Sequence, residues 1–349
     1  MLRKSIAAER AEETASRAGL LRRAGVIIPT YNAGKYWKSL RCALERQGIS
    51  NDQVLIVDSS SSDDTRALAL AAGYRLKHIP KESFRHGATR QMAAEALPWA
   101  EALIYLTQDA IPCGDSALER LLDAFRDPSV GAAYGRQVAR DEAGPIERHA
   151  RLFNYPDISE VRTFASREQM GFRAAFFSNS FAAYRSSALD DVGGFPQDAI
   201  VSEEVTVAAR MLIAGWKLAY QADAKAVHSH SLTIRQEFSR YFDIGVHHGR
   251  EQWLLDQFGT VGGEGRTFVV SQMRYLMKTQ PSLIPGALLR NLSKLCSYQL
   301  GRREEHLPSA LKEAISGQPH FWMNEQFVPQ TPALGGPSQS SEFHSHAGG

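Results

Sequence analysis

Several stretches of this chain put reactive side chains where an apolar run gives out. Asp58 ends the run in "QVLIVDSSSSDDT", Asp109 ends "ALIYLTQD", and Asn32 follows the run in "GVIIPTYN". A carboxylate in such a place accepts hydrogen bonds from a base or ribose, or holds a divalent cation against a diphosphate. "PTYN" adds Pro29, a backbone turn and the Tyr31 ring, suited to flank a nucleobase. In "FRHGATRQMA", His86, Gly87 and Arg90 open a helix whose N–H groups and dipole favour phosphate, with Arg90 as a diphosphate clamp. "SEEVTVAARML" sets Ser202 at a cap and Glu203 and Glu204 in a first turn, where a carboxylate can act as general base on a substrate hydroxyl. "VHSH" spaces His228 and His230 two apart, on one side of a strand, so that both can ligate a metal.

Each has a plainer use. Asp58 can cap the helix behind it, Asp109 can shape the turn before Pro112, and Arg90 can form a surface ion pair. Acidic residues in a first turn complement the helix dipole wherever they occur. A single histidine is usually structural; two beside a cation site leave ligation and structure open. Chemistry is favoured because Asn32, Asp58 and Asp109 recur at the same place in consecutive units.

Those units are strands alternating with helices. Apolar runs near 25–32, 53–58, 74–79 and 102–109 alternate with helical stretches near 34–47, 64–73, 87–97 and 116–126. Continuous apolar strands separated by helices predict a mostly parallel sheet covered on both faces, and such sheets bind ligands at the carboxyl ends of their strands. From 130 to 230 the pattern loosens into strand fragments around a helix at 203–214, and 234–256 is helical again.

With 349 residues, 43% of them hydrophobic, the chain is expected to form one large domain plus an appendage. A formal charge of +2 with 22% charged residues argues against a dedicated nucleic-acid binder. Cys42, Cys113 and Cys296 lie far apart, so neither a disulfide framework nor a structural zinc site is expected and a reducing cytosol fits. No apolar stretch of signal-peptide or membrane-spanning length opens the chain, which predicts a soluble or peripheral protein. Between Glu264 and Glu304 there is no acidic residue, only Arg266, Arg274, Lys278, Arg290, Lys294, Arg302 and Arg303. There Leu288, Leu289, Leu292, Leu295 and Cys296 recur at helical spacing while Arg290 and Lys294 mark another face. A basic amphipathic helix of this kind lies on an anionic membrane. The alternative is a helix packed on the main domain with its basic face in water.

As an ordered set, "VIIPTYN", "VDSSSSDDT", "RHGATRQMA", "LTQDAIP", "FFSNSFAAYRSSALDDVGGF", "SEEVTVAARML" and "VHSH" resemble glycosyltransferase family 2, and within it the bacterial rhamnosyltransferases. "FSRYFDIGVHHG" and "YQLGRREEHLPSALKEAISGQPHFW" extend the resemblance to the C-terminal region of O-antigen and exopolysaccharide enzymes. It implies an α/β, GT-A (nucleotide-diphospho-sugar transferase) fold over 25–232, after a helical lead-in at 1–24. A helical C-terminal extension at 233–328, membrane-associated, and a disordered tail at 329–349 would follow.

The resemblance further implies that Tyr31 and Asp58 hold the nucleotide, with Pro29, Asn32, Ser61, His86, Gly87 and Gln108 around the nucleotide-sugar and Arg90 near its diphosphate. Asp109 matches the second aspartate of the family's metal-binding DxD, whose first position is here Thr107, which leaves His228 or His230 to complete a Mg²⁺ or Mn²⁺ site. Glu204 inherits the role of catalytic base, with Glu203 as the alternative. The implied enzyme inverts the anomeric centre in moving L-rhamnose from dTDP-L-rhamnose to a lipid-linked glycan, in the cytoplasm and peripheral to the inner membrane. The alternatives are a family 2 enzyme using a UDP-hexose or another dTDP-sugar, and a non-catalytic sugar-nucleotide-binding subunit.

Overall fold

Val26, Ile27 and Ile28 form an unbroken β-branched run with no exposed surface, so the strand that contains them must be covered on both faces. The computed structural model describes residues 19–323; of the expected lead-in only a helix ending at 22 falls among them, and the tail at 329–349 lies outside the described residues. The described strands are β1 (Ala24–Thr30), β2 (Val54–Asp58), β3 (Arg75–His78), β4 (Ala102–Leu106), β5 (Ile111–Pro112), β6 (Val130–Val138), β7 (Glu160–Arg162), β8 (Phe181–Arg185) and β9 (Lys217–Val227). They make one nine-stranded sheet in the order β3-β2-β1-β4-β8-β6-β9-β5, with β7 on β9.

The strands β3, β2, β1 and β4 pair in parallel, as the alternating pattern predicts. The rest is mixed: β8 runs antiparallel to β4 and β6, β9 parallel to β6, and β5 and β7 antiparallel to β9. Alternate residues of the central strands feed two cores. Ile27, Val57, Leu103 and Tyr105 face one, under helices α2 (His86–Glu95) and α3 (Glu203–Ile213). Val26, Ile28, Ile56 and Ile104 face the other, under α1 (Gly34–Glu45) through Trp37, Leu40 and Leu44. Register aligns Thr30 with Asp58 and Asp58 with His78, so three strands end in one row at their carboxyl edge.

Beyond the sheet, Thr233 opens α4 (Ile234–Arg250) with a reciprocal capping box: its hydroxyl accepts from Gln236 N and its own N–H donates to Gln236 Oε1. The expected helix at 234–256 breaks at Glu251, and a shorter helix, Gln252–Phe258, resumes. Helices α5 (Gly262–Thr279) and α6 (Ile284–Gly301) follow. Gly301 lets α6 lie against α4, since a Cβ there would stand 2.1 Å from the Phe242 carbonyl oxygen.

The orientation of α6 corrects the expected solvated basic face. Arg290 and Lys294 turn inward and bind Glu237 of α4 at 2.9 and 3.1 Å. Asn291 donates to Gln272 and Ser297 to the Phe238 carbonyl from the same face. Leu288, Leu289, Leu292 and Leu295 point outward, each about half exposed. No described helix is long and apolar enough to cross a membrane.

Because the Gly301 contact is with backbone, Gly301→Ala is expected to cost about 1–3 kcal/mol in urea denaturation. Gly286→Ala, with open space around its Cβ, is expected to cost nothing measurable by the same assay.

Candidate active site

The loops after β1 and β2 are built from each other's side chains. Three successive N–H groups at the start of α1, those of Asn32, Ala33 and Gly34, donate to Ser61 Oγ, Thr65 Oγ1 and Asp63 Oδ2 at 2.9, 2.8 and 2.9 Å. In return Ser62 N donates to Asn32 Oδ1 at 2.8 Å. Helix N-termini leave such donors unpaired, and here "DSSSSDDT" supplies the acceptors. Asp58 is fully buried and accepts from Ser61 N at 3.0 Å and from the Ser61 hydroxyl. These bonds brace the loop after β2, with Asp58 buried beneath it and Ser61 held between Asp58 and Asn32 N. Pro29 lies within β1, opposite Val57.

Above this clamp the Tyr31 ring is open to solvent, and Gln108 fixes its backbone by a two-way bond: Tyr31 N donates to Gln108 Oε1 at 2.8 Å and Gln108 Nε2 to Tyr31 O at 3.1 Å. Lys81 Nζ donates to Tyr31 Oη at 2.8 Å and lies 4.5 Å from the ring centroid. The sequence reading did not single out Lys81.

Asp109 sits past the end of β4, which turns at Leu106, three residues earlier than the apolar run predicts, as Ala110 N bonds back to Thr107 O. His228 and His230 lie just beyond β9, not within it, and both reach Asp109, at 3.5 and 3.2 Å. One ligand atom from each of the three residues lies within 4.8 Å of the others. His228 Nδ1 lies 2.8 Å from Gln137 Oε1, which also accepts from Arg151. Gln137 Oε1 can only accept, so Nδ1 carries a proton; the neutral imidazole then has its lone pair on Nε2 for a metal, and the imidazolium donates from Nε2 to Asp109. Asp109 Oδ2 is buried without a hydrogen-bond donor among the described residues. Burial opposes ionisation of Asp109, but the hydrogen bond and charge of His228, then His230, hold its carboxyl well below the usual range. A carboxylate with an orphaned oxygen, together with two imidazoles, fits a divalent cation.

The expected roles of His86, Gly87 and Arg90 change. A Cβ at Gly87 would fall 1.7 Å from the Pro196 carbonyl, so this glycine admits a neighbouring chain segment where phosphate was expected. Arg90 is buried and pairs with Glu203 at 2.6 Å, and its guanidinium approaches His86 Nδ1 at 3.3 Å. It is committed to Glu203 and is not presented as a clamp. His86 is held neutral, its pKa pushed down to about 4 by burial.

Ser202 adopts the left-handed conformation (φ 62°) and caps α3 through its carbonyl, which accepts from Val205 N and Thr206 N, and not through its expected side chain. This strained corner aims Glu203 and Glu204. Glu203 also accepts from Asn179 Nδ2 at 3.0 Å, and Tyr184 Oη donates to Asn179 Oδ1 at 2.7 Å. Burial resists the charge on Glu203, but Arg90, then His86 and Asn179, outweigh it and keep the carboxyl ionised. Glu204, less buried, is pushed up to about 8 by burial and then by the charge of Glu203. The two adjacent carboxylates thus have opposite characters, one fixed as an anion and one basic near neutrality.

Sequence reasoning missed the cations around the Asp109 cluster. Arg140 Nη2 stands 3.7 Å from Asp109 Oδ2, and Arg151 is tied to Gln137. The charge of Arg240, on the C-terminal helix α4, bears on His86, Arg151, His228 and His230. Nothing in its local sequence marks Arg240. Asn179 had a faint signal, standing between two serines just before the strand "FAAYR".

Residues 25–193 match the family described as glycosyl transferase family 2. The O-antigen chain rhamnosyltransferase RfbN of Salmonella typhimurium is 41% identical over 303 residues, covering 86% of this chain and 96% of that protein. WbaN of Salmonella anatum, also an O-antigen chain rhamnosyltransferase, matches at the same identity and coverage. Among solved structures, the mannosyltransferase PcManGT from Pyrobaculum calidifontis aligns over 86% of this chain and 85% of that one at TM-score 0.49 and 18% identity, a distance that lends no residue role to this chain.

Arg90→Met is expected to cost about 3–5 kcal/mol in denaturant unfolding, because it strands a buried Glu203, while the double change Arg90→Met with Glu203→Met recovers most of that loss. Glu204 adds a pH dependence. Its folded pKa lies above the ordinary 4.5, so the stability it contributes is complete below 4.5 and is lost as pH rises to about 8. Glu204→Gln is expected to flatten that part of the stability–pH curve.

Proposed function

The chain belongs to glycosyltransferase family 2, and on that premise we propose that it transfers L-rhamnose from dTDP-L-rhamnose to a lipid-linked oligosaccharide in O-antigen or exopolysaccharide synthesis. It is a glycosyltransferase; the sugar, the acceptor and work at the cytoplasmic face of the inner membrane are the finer parts of this reading. The observation that carries it is a basic carboxylate, Glu204, at the head of α3, with an Asp–His–His cluster at the carboxyl edge of the same sheet. The match to rhamnosyltransferases over nearly their whole length favours rhamnose over a hexose.

In this mechanism the thymine base lies against Tyr31, on the shelf that Gln108 and the Asp58 loop hold rigid. Asp109, His228 and His230 would hold Mg²⁺ or Mn²⁺, which when bound offsets the diphosphate charge. Arg140, Arg151 and Arg240 take over the diphosphate-binding role first expected of Arg90, and arrive from three separate elements. Glu204 removes the proton from an acceptor hydroxyl as that oxygen attacks C1 of rhamnose. The bond from C1 to the β-phosphate oxygen breaks on the opposite face and dTDP departs with the electron pair. One displacement turns a β-linked donor into an α-linked product. Glu203 is a positioning residue: its fixed charge raises the basicity of Glu204.

Titration calorimetry with dTDP-rhamnose, UDP-glucose and UDP-galactose, each in Mn²⁺ and in EDTA, tests the donor. Cation-dependent binding of dTDP-rhamnose alone, weakened at least about tenfold in Asp109→Ala, is expected. Preference for a UDP-sugar would discard rhamnose and keep the chemistry; donor binding without turnover would favour the non-catalytic sugar-nucleotide-binding subunit, and no donor binding at all would overturn both. In turnover assays kcat/KM is expected to rise with pH through an ionisation near 8 and to fall by about 10²–10⁴-fold in Glu204→Gln.

A further inference from the structure

Surface helices of globular proteins normally bury their apolar stripe and wet their charges. Helix α6 does the reverse. Its inward face is polar and fully engaged: Arg290 and Lys294 on Glu237, Asn291 on Gln272, Ser297 on the Phe238 carbonyl, and Tyr298 Oη 3.0 Å from His248 Nδ1. Its outward face carries Leu288, Leu289, Leu292 and Leu295, exposed by 48 to 58%, with Cys296 also exposed beside them. At its C-terminal end the ridge runs into a shallow groove of about 300 Å³ between Cys296, Leu300 and Leu307, rimmed by Arg303 and His306. The inward polar contacts fix the rotation of the helix, so the leucines cannot turn in to find a core. An apolar ridge held outward in this way needs an external partner.

We propose that the leucine ridge of α6 is a membrane-docking surface that seats in the headgroup–acyl boundary of an anionic bilayer. This rests on the reading that the acceptor is lipid-linked, and it assigns the contact to an apolar face, where the sequence pointed to a basic one. Charge decides between a bilayer and a second copy of the chain. The exposed ionic groups on α5 and just after α6 are Arg266, Arg274, Lys278, Arg303 and Glu305, four cations to one carboxylate, and no acidic residue lies between Glu264 and Glu304. Two ridges packed together would bring these cations toward their own copies, with Glu305 alone to offset them. Anionic headgroups supply the missing charge while the acyl region accepts the leucines.

The test uses the full chain and sedimentation with vesicles of phosphatidylglycerol and phosphatidylcholine, against phosphatidylcholine alone, at low and high salt. The protein is expected to sediment with the anionic vesicles. A triple change, Leu288→Ser with Leu292→Ser and Leu295→Ser, is expected to lower partitioning about tenfold or more at both salt concentrations, whereas Arg274→Gln with Lys278→Gln lowers it chiefly at low salt. An environment-sensitive dye on Cys296, in a Cys42→Ser, Cys113→Ser background, is expected to shift to the blue when anionic vesicles are added. Leucine changes that leave partitioning intact, or a dye that does not shift, overturn the proposal. So does a doubled mass in lipid-free sedimentation velocity that the triple change abolishes, since the ridge would then be a dimer face. Binding of dTDP-rhamnose by calorimetry is expected to be the same in all these variants. In the unaltered protein, absence of vesicle binding with donor binding kept refutes docking alone, and absence of donor binding with vesicle binding kept refutes the enzymatic reading alone.

Discussion

The buried pair of Arg90 and Glu203 is the contact on which the catalytic half of the molecule depends. It ties α2 to α3 across the top of one core, and its geometry sets what the neighbouring carboxylate can do. With Arg90 and Asn179 holding Glu203 as an anion, Glu204 sits next to a permanent negative charge and gains affinity for a proton. A lone buried ion pair is a poor source of stability, because desolvation consumes most of the attraction. Here its value lies in the difference it creates between two adjacent glutamates.

The close approach at Gly87 follows from the same need. For Arg90 to reach Glu203, the start of α2 must come within contact of the turn at Pro196, and only a residue without a Cβ permits it. Helix α4 then braces this arrangement from the far side, with His247 Nε2 3.2 Å from Thr206 Oγ1, one turn beyond Glu203. The same helix carries Arg240, whose charge bears on the histidines, so α4 contributes to the field at the candidate site.

Much of this was legible in the sequence because strand ends announce themselves. Asp58 and Asp109 terminate apolar runs, and the parallel half of the sheet follows from runs too continuous to leave a face in water. The VHSH pair converged on Asp109 as its spacing suggested, although in a loop and not in a strand. What was illegible is partnership across long separations. Arg90 in a helix opening reads as a phosphate ligand, since nothing nearby reveals that Glu203 will lie within bonding distance. For α6 the spacing correctly divides leucines from bases, but which face turns inward depends on Glu237, on another helix. A periodic pattern carries the existence of two faces and is silent about which one is dry.

The clamp between the first two loops bears on how the protein reaches this shape. The amides of Asn32, Ala33 and Gly34 are satisfied only by side chains that follow β2, about thirty residues onward. Helix α1 therefore cannot settle its first turn until β2 has paired with β1 and delivered its serines and aspartates. The β1–α1–β2 segment is thus coupled as one cooperative unit, its two loops completed together. Slow hydrogen exchange at those three amides would then report the opening of the whole segment, and not fraying at the end of one helix.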